Sequence, residues 1–133
     1  MTTFTLEIAT PERLVIRERV TEAQIPAAQG EIGVRPEHAP LLAELGIGVL
    51  SYVREGKRKD LSVAGGVIEV LPDRVRVLAD LAEDADKIDV KRAEEAQRRA
   101  ARQLTDSELG ADPGAALNAL KRAQARLRAA GLS

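Results

Sequence analysis

Residues 73–104 read DRVRVLADLAEDADKIDVKRAEEAQRRAARQL, and the chain changes its period inside them. The run 74–79 (RVRVLA) is strand-like and follows the Pro72-Asp73 turn. From Asp89 onward the pattern is Val90, Ala93, Ala96 or Gln97, Ala100 and Leu104, the spacing of one helix face. Asp89 stands where an N-cap belongs. A chain that exchanges a two-residue period for a helical one is built in two parts, and the junction falls near residue 86.

Upstream of this stretch, Phe4, Leu6 and Ile8 alternate with Thr5, Glu7 and Ala9, which gives one face to a core. Strand-like runs follow at 13–17, 20–25, 47–54, 60–64 and 67–71, separated by Thr10-Pro11-Glu12, Gln29-Gly30, Glu55-Gly56 and the Pro72-Asp73 turn. Many short strands at close spacing predict a sandwich or barrel. The connections are too short for crossover helices, which argues against a parallel α/β sheet. Gly65-Gly66 leads from strand into strand, so it reads as a bulge or tight bend and not as a phosphate loop.

Downstream, the segment 105–114 (TDSELGADPG) breaks the first helix. Asp112 can cap a second one with Pro113 at its first position, where a missing N–H costs nothing. Ala116, Leu120, Ala123, Leu127 and Ala130 form its stripe, and two helices joined this closely pack antiparallel. The inward positions are mostly alanine, with Leu104, Leu117, Leu120 and Leu127 as the larger groups. Alanine favours the helices themselves but contributes little burial, so the expectation is a stable hairpin that is loosely docked. The predicted architecture is mainly β plus α: an antiparallel β-sandwich over residues 1–86, then an antiparallel two-helix hairpin over 87–133.

Composition narrows the function. The 133 residues contain no cysteine, one histidine and only two aromatics, Phe4 and Tyr52. Disulfides and thiolate metal sites are excluded, and a lone His38 makes no common zinc site. No nucleophile-elbow sequence accompanies His38, which reads as a structural or interface residue in a Pro-rich loop. The acids Glu83, Asp84 and Asp86 read as a linker cluster. No charged-then-apolar leader opens the sequence, and no apolar run approaches the roughly 20 residues of a membrane span. A soluble or peripheral protein without catalytic chemistry of its own, metal or required cofactor is expected.

Charge is unevenly placed. Residues 1–86 carry ten Lys/Arg against fifteen Asp/Glu, and residues 87–133 carry ten against six, giving −5 and +4. Arg92 and Arg99 share one helical face, as do Arg122 and Arg126. Like charges at such spacing repel by a few tenths of a kcal/mol, which points to an anion that offsets the cost: a polyphosphate or an acidic protein surface. The plain alternative is an ordinary solvated basic face. Nucleic acid fits poorly, because no aromatics are interleaved with the basic residues. A stand-alone binding module with a basic hairpin and a small hydrolase using His38 remain the rival readings.

Five stretches, in order along the whole chain, resemble the epsilon subunits of F-type ATP synthases: 10–16 (TPERLVI), 30–42 (GEIGVRPEHAPLL), 64–70 (AGGVIEV), 73–79 (DRVRVLA) and 88–93 (IDVKRA). The second is the most specific. Val67 departs from the phenylalanine common after the glycine pair, and the inter-helix loop is this chain's own. The resemblance implies a non-catalytic rotor subunit, peripheral on the cytoplasmic side of a bacterial inner membrane or on the stromal side of a thylakoid. Its sandwich would bind the gamma subunit and the rotor c-ring, with Glu31 toward the ring and His38 toward gamma. Its helices would lie folded on the sandwich or extend toward the alpha/beta catalytic head. There Lys121, Arg122, Arg126 and Arg128 would meet an acidic motif of beta and block hydrolysis. The resemblance further implies ATP as a regulatory ligand at Glu83, Ile88, Asp89, Arg92, Ala93, Arg99, Arg122 and Arg126. Asp89 and Ile88 would address the adenine and the four arginines the phosphates.

Overall fold

The computed structural model describes residues 2–132, apart from the side chain of Ser107. Seven strands precede two helices: β1 (Phe4–Ala9), β2 (Leu14–Val20), β3 (Glu22–Ala27), β4 (Gly30–Val34), β5 (Leu41–Arg54), β6 (Lys57–Leu71), β7 (Arg74–Asp84), α1 (Val90–Thr105) and α2 (Pro113–Ala129). The strands form one sheet in the order β2-β1-β7-β6-β5-β3-β4. Every pairing is antiparallel except β1 with β7, which run parallel.

This single sheet makes a two-layer sandwich by turning a corner inside its three long strands. β6 buries Leu61 and Val63 before Gly65-Gly66, and Ile68 and Val70 after them, so the inward face passes from odd to even positions. β5 changes face between Leu45 and Leu50, and β7 between Ala79 and the partly buried Ala82. Pairing continues across the corner in unchanged register, with Leu45 and Ala79 opposite Gly66, and Ile47 and Leu81 opposite Ala64. Strands that switch layers through such a bend are how two sheets share a corner. Gly66 makes the bend with φ 129°, and a Cβ there would fall on the Leu78 carbonyl oxygen. The expected runs 60–64 and 67–71 are therefore one strand, β5 begins six residues earlier than the run 47–54 suggested, and Gly30–Val34 is a strand of its own.

The core between the layers is aliphatic. Leu6, Ile8, Val20, Ile25, Leu50, Leu61, Ile68, Val75 and Val77 are wholly enclosed, and Phe4 and Tyr52 are buried with them. Both aromatics of the chain are thus spent inside the sandwich.

α1 and α2 start where the caps were expected. Asp89 Oδ1 accepts from the Arg92 N–H at 3.1 Å, and Asp112 Oδ1 from the Gly114 N–H at 3.2 Å, with Pro113 at the first position of α2. Gly131, at φ 88°, closes α2: its N–H donates to the Arg128 carbonyl and that of Leu132 to the Leu127 carbonyl. α1 packs on α2, and α2 lies on β5 and β6. The alanine seam is present: α1 buries Ala93 and Ala100, and α2 buries Ala116, Ala123 and Leu127 along its expected stripe. Two of the larger groups expected in this seam are outside it, since Leu104 and Leu117 are exposed.

A second buried face of α2, Ala125 and Ala129, was not read from sequence. Ala125 lies about 200° round the helix from Ala123, so it turns away from α1. The sandwich beneath answers with small groups: Ser51, Ser62 and Ala64, which alternate with core residues and point outward, are nevertheless buried. Small side chains on both surfaces let α2 approach closely while exchanging little apolar area.

Candidate functional site

The helix period divides the basic residues of α2. Arg122 and Arg126 fall on the flank where α2, α1 and the sandwich meet, while Lys121 and Arg128 fall on the opposite flank. Two hollows adjoin the first flank. The larger, an open furrow of about 480 Å³, is lined by Val63, Ala64, Leu81 and Ala82 on one side. Its cations are Arg13, Lys87, Arg92, Arg122 and Arg126, and its acids are Glu83 and Asp84. The smaller, of about 290 Å³, lies between the helices and joins Arg99 to Arg122 and Arg126. Arg122 and Arg126 belong to both.

The sequence-derived residues fall into three groups. Glu83, Arg92, Arg122 and Arg126 are gathered on the large furrow, and Arg99 joins them through the small one. Ile88 and Ala93 are buried beside them, and the Asp89 carboxylate is engaged as the cap of α1. Lys121 and Arg128 stand apart from Arg122 and Arg126, so the four basic residues share no single surface when the hairpin is docked. Arg128 instead lines a hollow on the sandwich together with Glu31 and Arg58.

Only one ion pair links hairpin and sandwich among the described residues. Arg126 Nε donates to Glu83 Oε1 at 2.9 Å, and Arg126 is mostly covered. Glu83 lies one residue before the end of β7 and Arg126 one turn from the end of α2, so this contact ties the end of α2 to the sheet. The expected linker acid is therefore a structural partner of a furrow arginine. With Arg126 paired, Arg13, Lys87, Arg92 and Arg122 face the furrow without an ion-pair partner among the described residues. The outward side chains of Ala64 and Leu81 beside a cationic rim suit an amphiphilic anion, one with an apolar part and a highly charged part.

Arg13, Lys87 and Asp84 were not among the sequence-derived residues. Lys87 could have been found from its place just before α1. Arg13 could not, because only the folded chain brings the β1–β2 turn to α2.

The sandwich has a second surface of interest. Its β2-β1-β7-β6 face carries a row in which Leu14, Ala9, Leu78 and Val67 are neighbours across four strands. Leu14, Leu78 and Val67 are each about half exposed, and Leu42 on β5 is 72% exposed. The adjacent row is charged: Glu7 accepts from Arg17 at 2.8 Å and lies 3.6 Å from Arg76, which reaches Glu69. The hydrogen bonds from Arg17 hold the Glu7 carboxyl below the usual range against the opposing effect of its burial, with the charges of Arg17, Arg76 and Arg74 adding to it. Glu31 and Leu42 line a further hollow at the β3–β4 end. His38 lies in the 35–40 connection with Nδ1 2.7 Å from the Ala39 carbonyl oxygen, and the Glu37 N–H ties that loop to Pro72. No helix of the described residues is long and apolar enough to cross a membrane.

Comparison with known proteins covers both parts. The beta-sandwich domain of the ATP synthase delta/epsilon chain family matches residues 3–85, and the family's long alpha-helix domain matches residues 86–131. The ATP synthase epsilon chain of Solibacter usitatus is 56% identical over 96% of each chain, and that of Symbiobacterium thermophilum is 47% identical over 98% of this chain and 95% of its own. In fold, a chain of the Euglena gracilis mitochondrial ATP synthase superposes with a TM-score of 0.82, covering 98% of this chain and 82% of its own at 24% identity. Sequence and fold agree from the first strand to the last helix: the chain belongs to the ATP synthase epsilon chain family.

Proposed function

We propose that this chain, a non-catalytic subunit of the central stalk, restrains ATP hydrolysis through its helix hairpin and releases that restraint when ATP occupies the furrow between hairpin and sandwich. The observation that carries this reading is the furrow itself: paired and unpaired arginines from both helices converge on the joint that must open if the hairpin is to extend. Small residues hold that joint, Ala125 and Ala129 over Ser51, Ser62 and Ala64, and burial stabilises by only about 0.8 kcal/mol per CH₂. A ligand present at 100 times its dissociation constant, and bound only when the hairpin is docked, adds about 2.7 kcal/mol. The two quantities are of one order, which is the condition for a ligand-controlled switch.

Glu83 orients Arg126, Arg92 and Arg122 face the phosphates, and Arg99 extends the cationic rim between the helices. Ile88, Asp89 and Ala93 form the end nearest the start of α1, where the adenine would lie against apolar surface. On extension, Lys121, Arg122, Arg126 and Arg128 leave their separate docked environments together and become available to an acidic surface of the beta subunit.

The sandwich serves as the foot of the stalk. Its uncovered apolar row from Leu14 to Val67, bordered by a charged row, has the character of a protein-binding face and is assigned to gamma along with the His38 loop. The hollow carrying Glu31 and Leu42 is assigned to the c-ring. Association with the membrane is peripheral, on the cytoplasmic side, through the complex.

The test is removal of residues 87–133 from the assembled synthase. ATPase activity should rise several-fold with gamma and the ring still bound, and unchanged hydrolysis would overturn the inhibitory role.

A further inference from the structure

Arg13 sits in the turn between β1 and β2, is exposed, and lines the large furrow facing the helices. Its side chain enters no ion pair among the described residues. It is also the one cation that the sandwich contributes to this furrow; the others, Lys87, Arg92, Arg122 and Arg126, come from the linker and the hairpin. The remaining charges on the sandwich side are Glu83 and Asp84, which repel an anion.

That placement bears on how a ligand could control docking. An anion held only by Arg92, Arg99 and Arg122 would tie α1 to α2 and leave the hairpin free to swing as a unit. A ligand shifts an equilibrium only by the difference in its affinity for the two states. Contacts confined to the hairpin survive in both states and contribute little to that difference. A contact to Arg13 exists only when the hairpin lies on the sandwich, so its whole free energy favours docking. The guanidinium can meet a phosphate with two parallel hydrogen bonds, and, being unpaired, it gives up no ion pair to do so.

We infer that Arg13 is the sandwich-side anchor for the polyphosphate of a bound nucleotide, the contact through which ligand binding clamps the hairpin to the sandwich. This rests on the reading of the furrow as a nucleoside triphosphate site.

The full-length chain is titrated with ATP by calorimetry. Amide exchange across residues 113–130 is then followed with and without saturating ATP, in the parent, Arg13→Ala, Arg13→Lys and Arg122→Ala. The parent binds, and ATP slows exchange in α2. Arg13→Ala weakens binding by roughly tenfold, the loss expected for one charge-assisted contact, and at saturation it loses most of the ATP-dependent slowing. Arg13→Lys recovers part of both. Comparing each variant with its own ATP-free state removes any purely structural effect. Parent-like affinity and slowing in Arg13→Ala, with Arg122→Ala impaired, would overturn the role of Arg13 and leave the furrow reading standing. No ATP binding by the parent would overturn both.

Discussion

The sandwich encloses Leu6, Ile8, Ile25, Leu50, Leu61 and Ile68 completely, whereas α1 buries nothing larger than alanine and α2 a single leucine, Leu127. Helix stability and docking stability are thereby separated. Alanine, two aspartate caps and a glycine stop sustain the helices as helices. The contact that holds them to the sheet is thin, resting on Ala125, Ala129 and the Glu83–Arg126 pair. A rotor foot must transmit torque and so requires the first kind of construction. The regulatory arm proposed above would have to detach at low cost, and the second kind of construction suits that.

The largest test of this contrast lies in the sandwich. Ile68→Ala removes a fully enclosed side chain next to the Gly65-Gly66 corner, and should cost about 2–5 kcal/mol by urea unfolding. A loss under about 1 kcal/mol would mean that the core is less tightly filled than the burial implies.

A smaller effect, and a sharper one, is expected at the joint. Ala125→Leu forces extra carbon into a contact built from small residues, at a cost of about 1–3 kcal/mol. Because the docking contact contributes a similar amount, the variant should release the hairpin while leaving the sandwich intact. Amide exchange should therefore quicken in α2 with little change in β1 or β6. Equal acceleration in both halves would show that the hairpin is part of one cooperative fold and would abolish the contrast.

The sequence carried the division of the chain because the two periods are unlike each other, and it carried the caps because Asp89, Asp112 and Pro113 act within three residues of themselves. The arginine pairs were legible for the same local reason. What escaped was set by tertiary phase. Gly46 and Gly65-Gly66 interrupt alternation as a turn would, yet the ladder runs through them and only the buried face changes. In a helix as rich in alanine as α2, periodicity cannot distinguish one covered face from two, so Ala125 and Ala129 went unread while Leu104 and Leu117 were placed inward. Arg13 reaches the furrow only because β1 pairs with β7, a contact between opposite ends of the sandwich sequence.

The smallest expected effect sharpens the contrast from its rigid side. Glu7 sits in a row with Arg17 and Arg76, and its folded pKa is lowered from the ordinary 4.5, chiefly by the Arg17 hydrogen bonds. A depressed carboxylate contributes stability that is fully present above the unfolded value and is lost as pH falls through the lower folded one. Glu7→Gln should therefore melt lower than the parent at neutral pH, since Arg17 then loses its ion-pair partner and Arg76 one of its two. The gap should close as pH falls below the ordinary carboxylate range and through the lowered folded pKa, where the parent's own carboxyl takes up its proton. Arg17 is well exposed, so solvent and salt screen the pair and the shift in melting temperature is modest. Helix undocking should show no such dependence on Glu7, because Glu7 and its partners Arg17 and Arg76 lie on β1, β2 and β7, whereas α2 packs on β5 and β6. If Glu7→Gln altered exchange in α2 as much as in β1, the charged row would be coupled to the hairpin, and the sandwich would be an active partner of the switch instead of its fixed base.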